Sequence, residues 1–101
     1  MEKVTVLAFA EVVPGKELQF LEHIPPVVAA TRAEEACLNY DFHQSSDSPN
    51  HFMFYENWTS LEGLQAHSKS EHIQQFRANV ADLLVRPIEI KLYQMVTAPA
   101  A

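Results

Sequence analysis

The feature that most constrains this chain is the segment from His51 to Trp58, where aromatic residues alternate with other side chains. Neighbouring side chains of a β-strand point to opposite faces, so alternate residues share a face. The residues that share one face are Phe52, Phe54, Glu56 and Trp58. Burying an ionised carboxylate without a partner is costly, and the segment that follows carries His67 and His72 as candidate partners. We therefore expect an apolar slot in which a carboxyl group and an imidazole handle protons.

Size and charge limit the class of protein. The 101 residues are 48% hydrophobic, which predicts one domain over 1–101 with its own core. The net charge is -6 and the seven basic residues are scattered, so no basic stripe is available for nucleic acid. No apolar run is long enough to cross a bilayer, so we expect no membrane partner. Only two glycines are present, which excludes a glycine-rich nucleotide loop.

The single cysteine indicates a compartment. Cys37 cannot form an intrachain disulfide, which fits a reducing cytosol, and we expect a cytoplasmic protein. The apolar segment 4–13 is interrupted by Thr5 and Glu11 and ends at Pro14-Gly15. We interpret it as a first strand rather than a signal peptide.

The order of patterns along the chain predicts the fold class. Strand-like alternation, helical spacing and turn residues divide the chain into seven elements. They are a strand at 4–13, a helix at 16–35, strands at 37–45 and 51–58, helices at 60–68 and 68–86, and a strand at 88–93. This order predicts an α+β fold with a ferredoxin-like, four-stranded antiparallel sheet and helices on one face.

Two local details of these elements follow from the same patterns. Pro25-Pro26 should kink the first helix or divide it into two short ones. The alternation in the second strand directs Leu38, Tyr40 and Phe42 to one face.

The starts of the later helices are also predicted. The spacing from Thr59 to Glu62 and from Ser68 to Glu71 is that of a capping box, which predicts Thr59 and Ser68 as helix N-caps.

The second face of the sheet is predicted to be apolar as well. Met53 and Tyr55 point away from the face that carries Glu56. A short chain with two apolar sheet faces must cover both, and a second copy is the simplest cover. We therefore expect a homodimer.

Five segments carry a family resemblance: PGK at 14–16, ATRAE at 30–34, CLNYDFHQ at 37–44, YENWTS at 55–60 and HSKSEH at 67–72. Through them the chain resembles the antibiotic biosynthesis monooxygenase family, in its quinol-monooxygenase-like branch, from about Val4 to Val96. The family usually has glycine where this chain has Ala36. The resemblance implies a dimeric α+β barrel with a pocket between each subunit's own sheet and helices.

The resemblance and the strand pattern together nominate the site residues. Trp58 resembles a tryptophan that lines the pocket in family oxygenases. His67 and Glu56 are the expected proton-handling pair, and an arginine is expected to stabilise the substrate anion. The expected substrate-binding residues are Phe54, Tyr40, Arg32, Arg77 and His72.

Structural alternatives remain open for these residues. Glu56 could pair with Arg32 or Arg77 purely to stabilise the fold. His67 and His72 could be partly exposed, hydrogen-bonded histidines. A metal set of His67, Glu71 and His72 would straddle a helix junction and matches no standard motif, so no metal is expected.

The resemblance implies a cofactor-independent monooxygenase that oxidises a small electron-rich aromatic, such as a quinol or polyphenol, with dioxygen. An isomerase or tautomerase of small metabolites is the first alternative, and a non-catalytic dimeric ligand-binding protein is the second. A haem-degrading branch of the family uses a tryptophan and, ten residues later, a histidine on the helices. His67 and Arg77 occupy those positions here, so haem degradation is not expected.

Overall fold

The computed structural model describes residues 3–98 of the chain. They form four strands, four α-helices and one 3-10 turn. In chain order they are β1 (Val4–Glu11), α1 (Glu17–Glu22), α2 (Ile24–Arg32), β2 (Cys37–Gln44), β3 (His51–Trp58), α3 (Leu61–Ser68), α4 (Glu71–Val80), the 3-10 turn (Ala81–Leu83) and β4 (Glu89–Tyr93).

The four strands form a single sheet in the order β2-β3-β1-β4, and every neighbouring pair is antiparallel. β3 is central, with Glu56 opposite Val6 of β1 on one side and opposite Tyr40 of β2 on the other. The buried residues of the sheet and helices form one core, including Phe20, Phe54 and Phe76. The predicted ferredoxin-like α+β class is confirmed.

The break expected in the first predicted helix occurs next to Pro25 and Pro26. The predicted long helix is two short ones, α1 and α2, separated at His23. Pro25 and Pro26 lie in the first turn of α2, where a missing backbone N–H leaves no intrahelical hydrogen bond unmade. The division into two helices is therefore confirmed.

The face assigned to Leu38 was wrong. The pairing of β2 with β3 is irregular at this point: Cys37 lies opposite Trp58 and Asn39 opposite Asn57, so Leu38 is an extra residue. Such a β-bulge interrupts strict alternation, and Leu38 is 56% exposed. Tyr40 and Phe42 keep their predicted face, opposite Glu56 and Phe54.

The predicted N-caps of α3 and α4 were also wrong, by one and two residues. Ser60 caps α3, and its Oγ accepts a hydrogen bond from the backbone N–H of Gly63. Ser70 caps α4 in the same way, through the N–H of Ile73. Thr59 is held outside the helix because its N–H donates to the carbonyl of Ala36 over 2.9 Å. The helical segment also ends earlier than predicted, at Val80 and the 3-10 turn.

The sheet face opposite the helices carries apolar side chains, as its parity predicts. Phe9 is 39% exposed, Tyr55 39% and Tyr93 48%. Helices do not cover this face in residues 3–98, so the aromatic rings remain in contact with solvent. None of the described helices combines the length and hydropathy needed to span a bilayer.

Candidate active site

A cavity of about 810 Å³ lies between the sheet on one side and α3, α4 and the segment that follows α4 on the other. Its sheet wall includes Tyr40, Phe54 and Glu56, and its helix wall includes His67 of α3 and Arg77 of α4. Most of the remaining wall is aliphatic, and it extends to the exposed apolar residues of β4. The cavity is therefore an apolar chamber in which a few polar groups meet.

Glu56 is the buried acid of this chamber. Strand parity directs its side chain to the helix face, where it is only 5% exposed. The indole N–H of Trp58 donates to its Oε1 over 3.0 Å. Burial raises the pKa of Glu56 to about 7, and nearby Glu34 adds to the rise, while the Trp58 hydrogen bond and Arg77 oppose it. A carboxyl group with this pKa can accept or release a proton near neutral pH.

Aromatic rings pack against the imidazole of His67, which lines the same cavity as Glu56. The ring of His67 packs on Trp58, with centroids 4.6 Å apart, and meets Tyr40 at 5.7 Å. Burial, with the negative charge of Glu56 adding to it, raises the pKa of the Tyr40 hydroxyl well above its ordinary value. Tyr40 therefore stays neutral and acts as a wall.

We expected His67 to pair with Glu56, but its hydrogen-bond partner is Glu34. The Nδ1 of His67 lies 2.7 Å from Oε2 of Glu34, and the Nε2 of His72 lies 2.8 Å from the same oxygen. One carboxylate oxygen thus joins two imidazoles. Burial lowers the pKa of His67, and the hydrogen bond to Glu34 opposes that shift.

A close backbone approach places Glu34 at this position. A Cβ atom on Gly63 would lie 2.3 Å from the Cβ of Ala36, so only glycine lets α3 pack this closely on the turn before β2. The φ of Ala36 is not in the left-handed region, because no non-glycine residue in 3–98 has positive φ. The departure from the family glycine therefore causes no backbone strain.

Five of the eight expected site residues line the cavity: Tyr40, Phe54, Glu56, His67 and Arg77. Trp58 is fully buried behind the wall and reaches the cavity through Glu56. Arg32 and His72 lie outside the lining. Of the two arginines considered as structural partners of Glu56, Arg32 instead forms a surface ion pair with Asp41 at 2.9 Å.

Sequence reasoning missed Glu34. The sequence pattern placed it in the helix predicted over 16–35, but α2 ends at Arg32 and Glu34 lies in the bend that follows. The only available signal was its place in the ATRAE segment at 30–34, which carried the resemblance. The three side chains Glu34, His67 and His72 offer ligand-type atoms within 4.8 Å of one another, whereas Glu71, the carboxylate considered from the sequence, is exposed and outside this cluster.

Comparisons with known proteins bear on this site. The "Putative monooxygenase YcnE" of Bacillus subtilis is 29% identical over 87 residues, covering 86% of this chain and 92% of YcnE. An uncharacterized protein of Synechocystis sp. is 28% identical over 94 residues, covering 93% of this chain, and the chain spans 64% of that relative's length.

Solved structures show the same fold. The structure of Rv0793 from Mycobacterium tuberculosis has a TM-score of 0.89 and 26% identity, covering 97% of this chain and 99% of that one. The family model described as antibiotic biosynthesis monooxygenase matches residues 3–79, which include Glu34, Glu56, Trp58 and His67. The chain therefore belongs to the antibiotic biosynthesis monooxygenase family.

Proposed function

We propose that this protein is a cofactor-independent monooxygenase that oxidises a small electron-rich aromatic, a quinol or polyphenol, with dioxygen. The observation that carries the proposal is Glu56: a buried carboxyl on an apolar cavity wall, with its pKa raised to about 7. An ionised carboxylate in this place can take the proton of a phenolic hydroxyl. Family membership supports the reaction class, and the proposed substrate class is compatible with a site that takes a phenolic proton.

The atoms and electrons of the reaction balance without an external reductant. Once Glu56 removes a phenolic proton, the electron-rich anion can pass one electron to triplet dioxygen, and the two radicals then combine into a carbon–oxygen bond. Cleavage of the O–O bond leaves one oxygen atom on the ring and releases the other as water. A hydroquinone and dioxygen thus give a hydroxyquinone and water, because the quinol itself supplies the two additional electrons.

The other wall residues have supporting roles in this proposal. Phe54 and Tyr40 give flat apolar surface for an aromatic ring and exclude water. Arg77 brings positive charge to the helix wall, where it favours a substrate anion. Glu34 occupies the Nδ1 of His67, which leaves Nε2 for a hydrogen bond to a substrate oxygen.

Oxygen uptake on a panel of quinols and polyphenols tests the proposal. We expect the protein to accelerate uptake over autoxidation, and labelled dioxygen to place one atom in the product. Turnover of small oxygenated metabolites under anaerobic conditions would instead favour the isomerase. Saturable ligand binding without turnover of any kind would favour the non-catalytic binding protein.

We further propose a homodimer formed through the exposed sheet face. Phe9, Tyr55 and Tyr93 give this face a partly exposed aromatic surface. Covering it should bury on the order of 2,000 Å² or more, as in obligate dimers. Sedimentation at micromolar concentration should show a dimer, and a species of only 11.4 kDa would contradict this.

We also propose a cytoplasmic location. Cys37 is a free thiol, and a lone thiol of this kind is compatible with a reducing compartment. Fractionation of source cells should recover the protein in the cytoplasm, and recovery from an oxidising compartment would contradict this.

A further inference from the structure

We propose that Glu34, His67 and His72 form a binding site for one divalent transition-metal ion of the zinc class. Three separate segments bring these side chains together: the bend before β2, the end of α3 and the start of α4. Their ligand-type atoms lie within 4.8 Å of one another. Two imidazoles and one carboxylate are a common protein ligand set for zinc, with a fourth position left for water.

The cluster needs little rearrangement to hold an ion. The nitrogens of His67 and His72 lie 2.7 and 2.8 Å from Oε2 of Glu34. Zinc bonds of about 2.1 Å in tetrahedral geometry need ligand atoms roughly 3.4 Å apart, so Oε2 must move roughly 0.6 Å away from each nitrogen. The two nitrogens, which lie within 4.8 Å of each other, must adopt the same separation. Glu34 can supply the movement of Oε2 because its side chain is flexible and begins in an irregular bend.

The exposure of the three side chains gives the ion a route to the site. The side chain of His67 is 5% exposed, that of Glu34 19% and that of His72 28%. An ion can therefore enter beside His72 and Glu34 and reach a buried third ligand. Ser70 lies between the two histidines in the sequence and contacts both. Its Oγ donates a hydrogen bond to the backbone carbonyl of His67 and lies 3.3 Å from the Nε2 of His72.

Metal binding would change the chemistry that His67 offers to the cavity. Its Nδ1 faces Glu34, so the metal-bound neutral ring carries its proton on Nε2. His72 would bind through Nε2 and keep its proton on Nδ1. Each ring keeps one proton and no electron moves. The ion would thus turn the Nε2 of His67 into a fixed hydrogen-bond donor at the cavity wall. This site goes beyond the proposed oxidation, which balances without a metal.

Calorimetric titration of chelator-treated protein with zinc chloride tests the site. We expect one ion per chain with a Kd of about 1 µM or tighter. Glu34→Gln and His72→Ala should each weaken binding by at least roughly 100-fold, since loss of an outer partner alone costs 10- to 100-fold. Glu35→Gln, the neighbouring exposed carboxylate, and His23→Ala are matched controls that should bind as the unmodified protein does.

A second measurement avoids variants that fail to fold. The chain has five histidines, and zinc should shift the ring nitrogen NMR signals of two of them, with the His67 proton on Nε2. Absence of saturable binding, binding that survives Glu34→Gln, or shifts confined to other histidines would overturn the proposal. Neither measurement uses substrate, so a failed oxidation assay leaves this result intact, and a failed zinc titration leaves the oxidation untouched.

Discussion

β3 and the turn before β2 each place one carboxyl group beside the packed rings of Trp58 and His67. The two carboxyl groups differ in their exposure and in their hydrogen-bond partners. Glu56 on β3 is 5% exposed and accepts one hydrogen bond, from the neutral indole of Trp58. Glu34 in the turn has a side chain 19% exposed and lies against two imidazoles. The difference teaches that burial among apolar walls prepares a carboxyl to change charge, whereas hydrogen bonding to two imidazoles lets a carboxyl position its partners.

The largest effect that would separate the two regions is on turnover. Glu56→Gln keeps the side-chain shape and an acceptor for the Trp58 N–H, but removes the group that takes the proton. We expect kcat for quinol oxidation to fall by roughly 10²–10⁴, the usual contribution of a general base. Glu62→Gln, an exposed carboxylate on α3, is the matched control. Unchanged turnover in Glu56→Gln would show that another group takes the proton, whereas no turnover in either protein, together with higher stability of Glu56→Gln, would support a non-catalytic protein.

The second effect is on stability, and its sign follows from proton binding. The pKa of Glu56 is about 7 in the fold against 4.5 for the unfolded side chain, so the folded state holds the proton over that range. Stability from this group therefore falls as the pH rises from 4.5 to 7, by up to about 3 kcal/mol. Denaturation curves of Glu56→Gln should show less of this loss, and identical pH profiles would contradict the burial argument.

The third effect concerns the turn and should leave β3 unchanged. Gly63→Ala forces its Cβ to within 2.3 Å of the Cβ of Ala36, so the turn and α3 must move apart. We expect a loss of about 1–3 kcal/mol, as for other overpacked sites. Adding Ala36→Gly transfers the methyl group and should restore most of the stability in urea denaturation. If Gly63→Ala left the free energy of unfolding unchanged, the close contact between α3 and the turn that carries Glu34 would be contradicted.

The smallest effect sharpens the description of Glu56 itself. Arg77 lines the cavity and its charge lowers the pKa of Glu56, so Arg77→Ala should move the titration of that carboxyl upwards. Arg32→Ala is the matched control, because Arg32 pairs with Asp41 at the surface and contributes at most about 1 kcal/mol to stability. Equal titration shifts in both variants would mean that Arg77 acts only through general charge.

Periodic patterns could predict most of the fold and one half of the site. The parity of β3 places Glu56, Phe54 and Trp58 on one face, and nothing in the structure breaks that alternation. The prediction for Leu38 was wrong because the alternating pattern of the strand gives no local signal of a β-bulge. Glu34 was missed for another reason: its partner His67 is 33 residues away along the chain, and the two meet where α3 packs on the turn at Ala36.

Titration of the Glu56 carboxyl carbon by NMR tests the central claim most directly. The signal is identified by its loss in Glu56→Gln, and no substrate is needed. The structure predicts a midpoint of about 7, because burial outweighs the Trp58 hydrogen bond and the charge of Arg77. A midpoint at or below the ordinary value of 4.5 would show that Glu56 is a solvated or ion-paired carboxylate and would contradict its role as the proton acceptor.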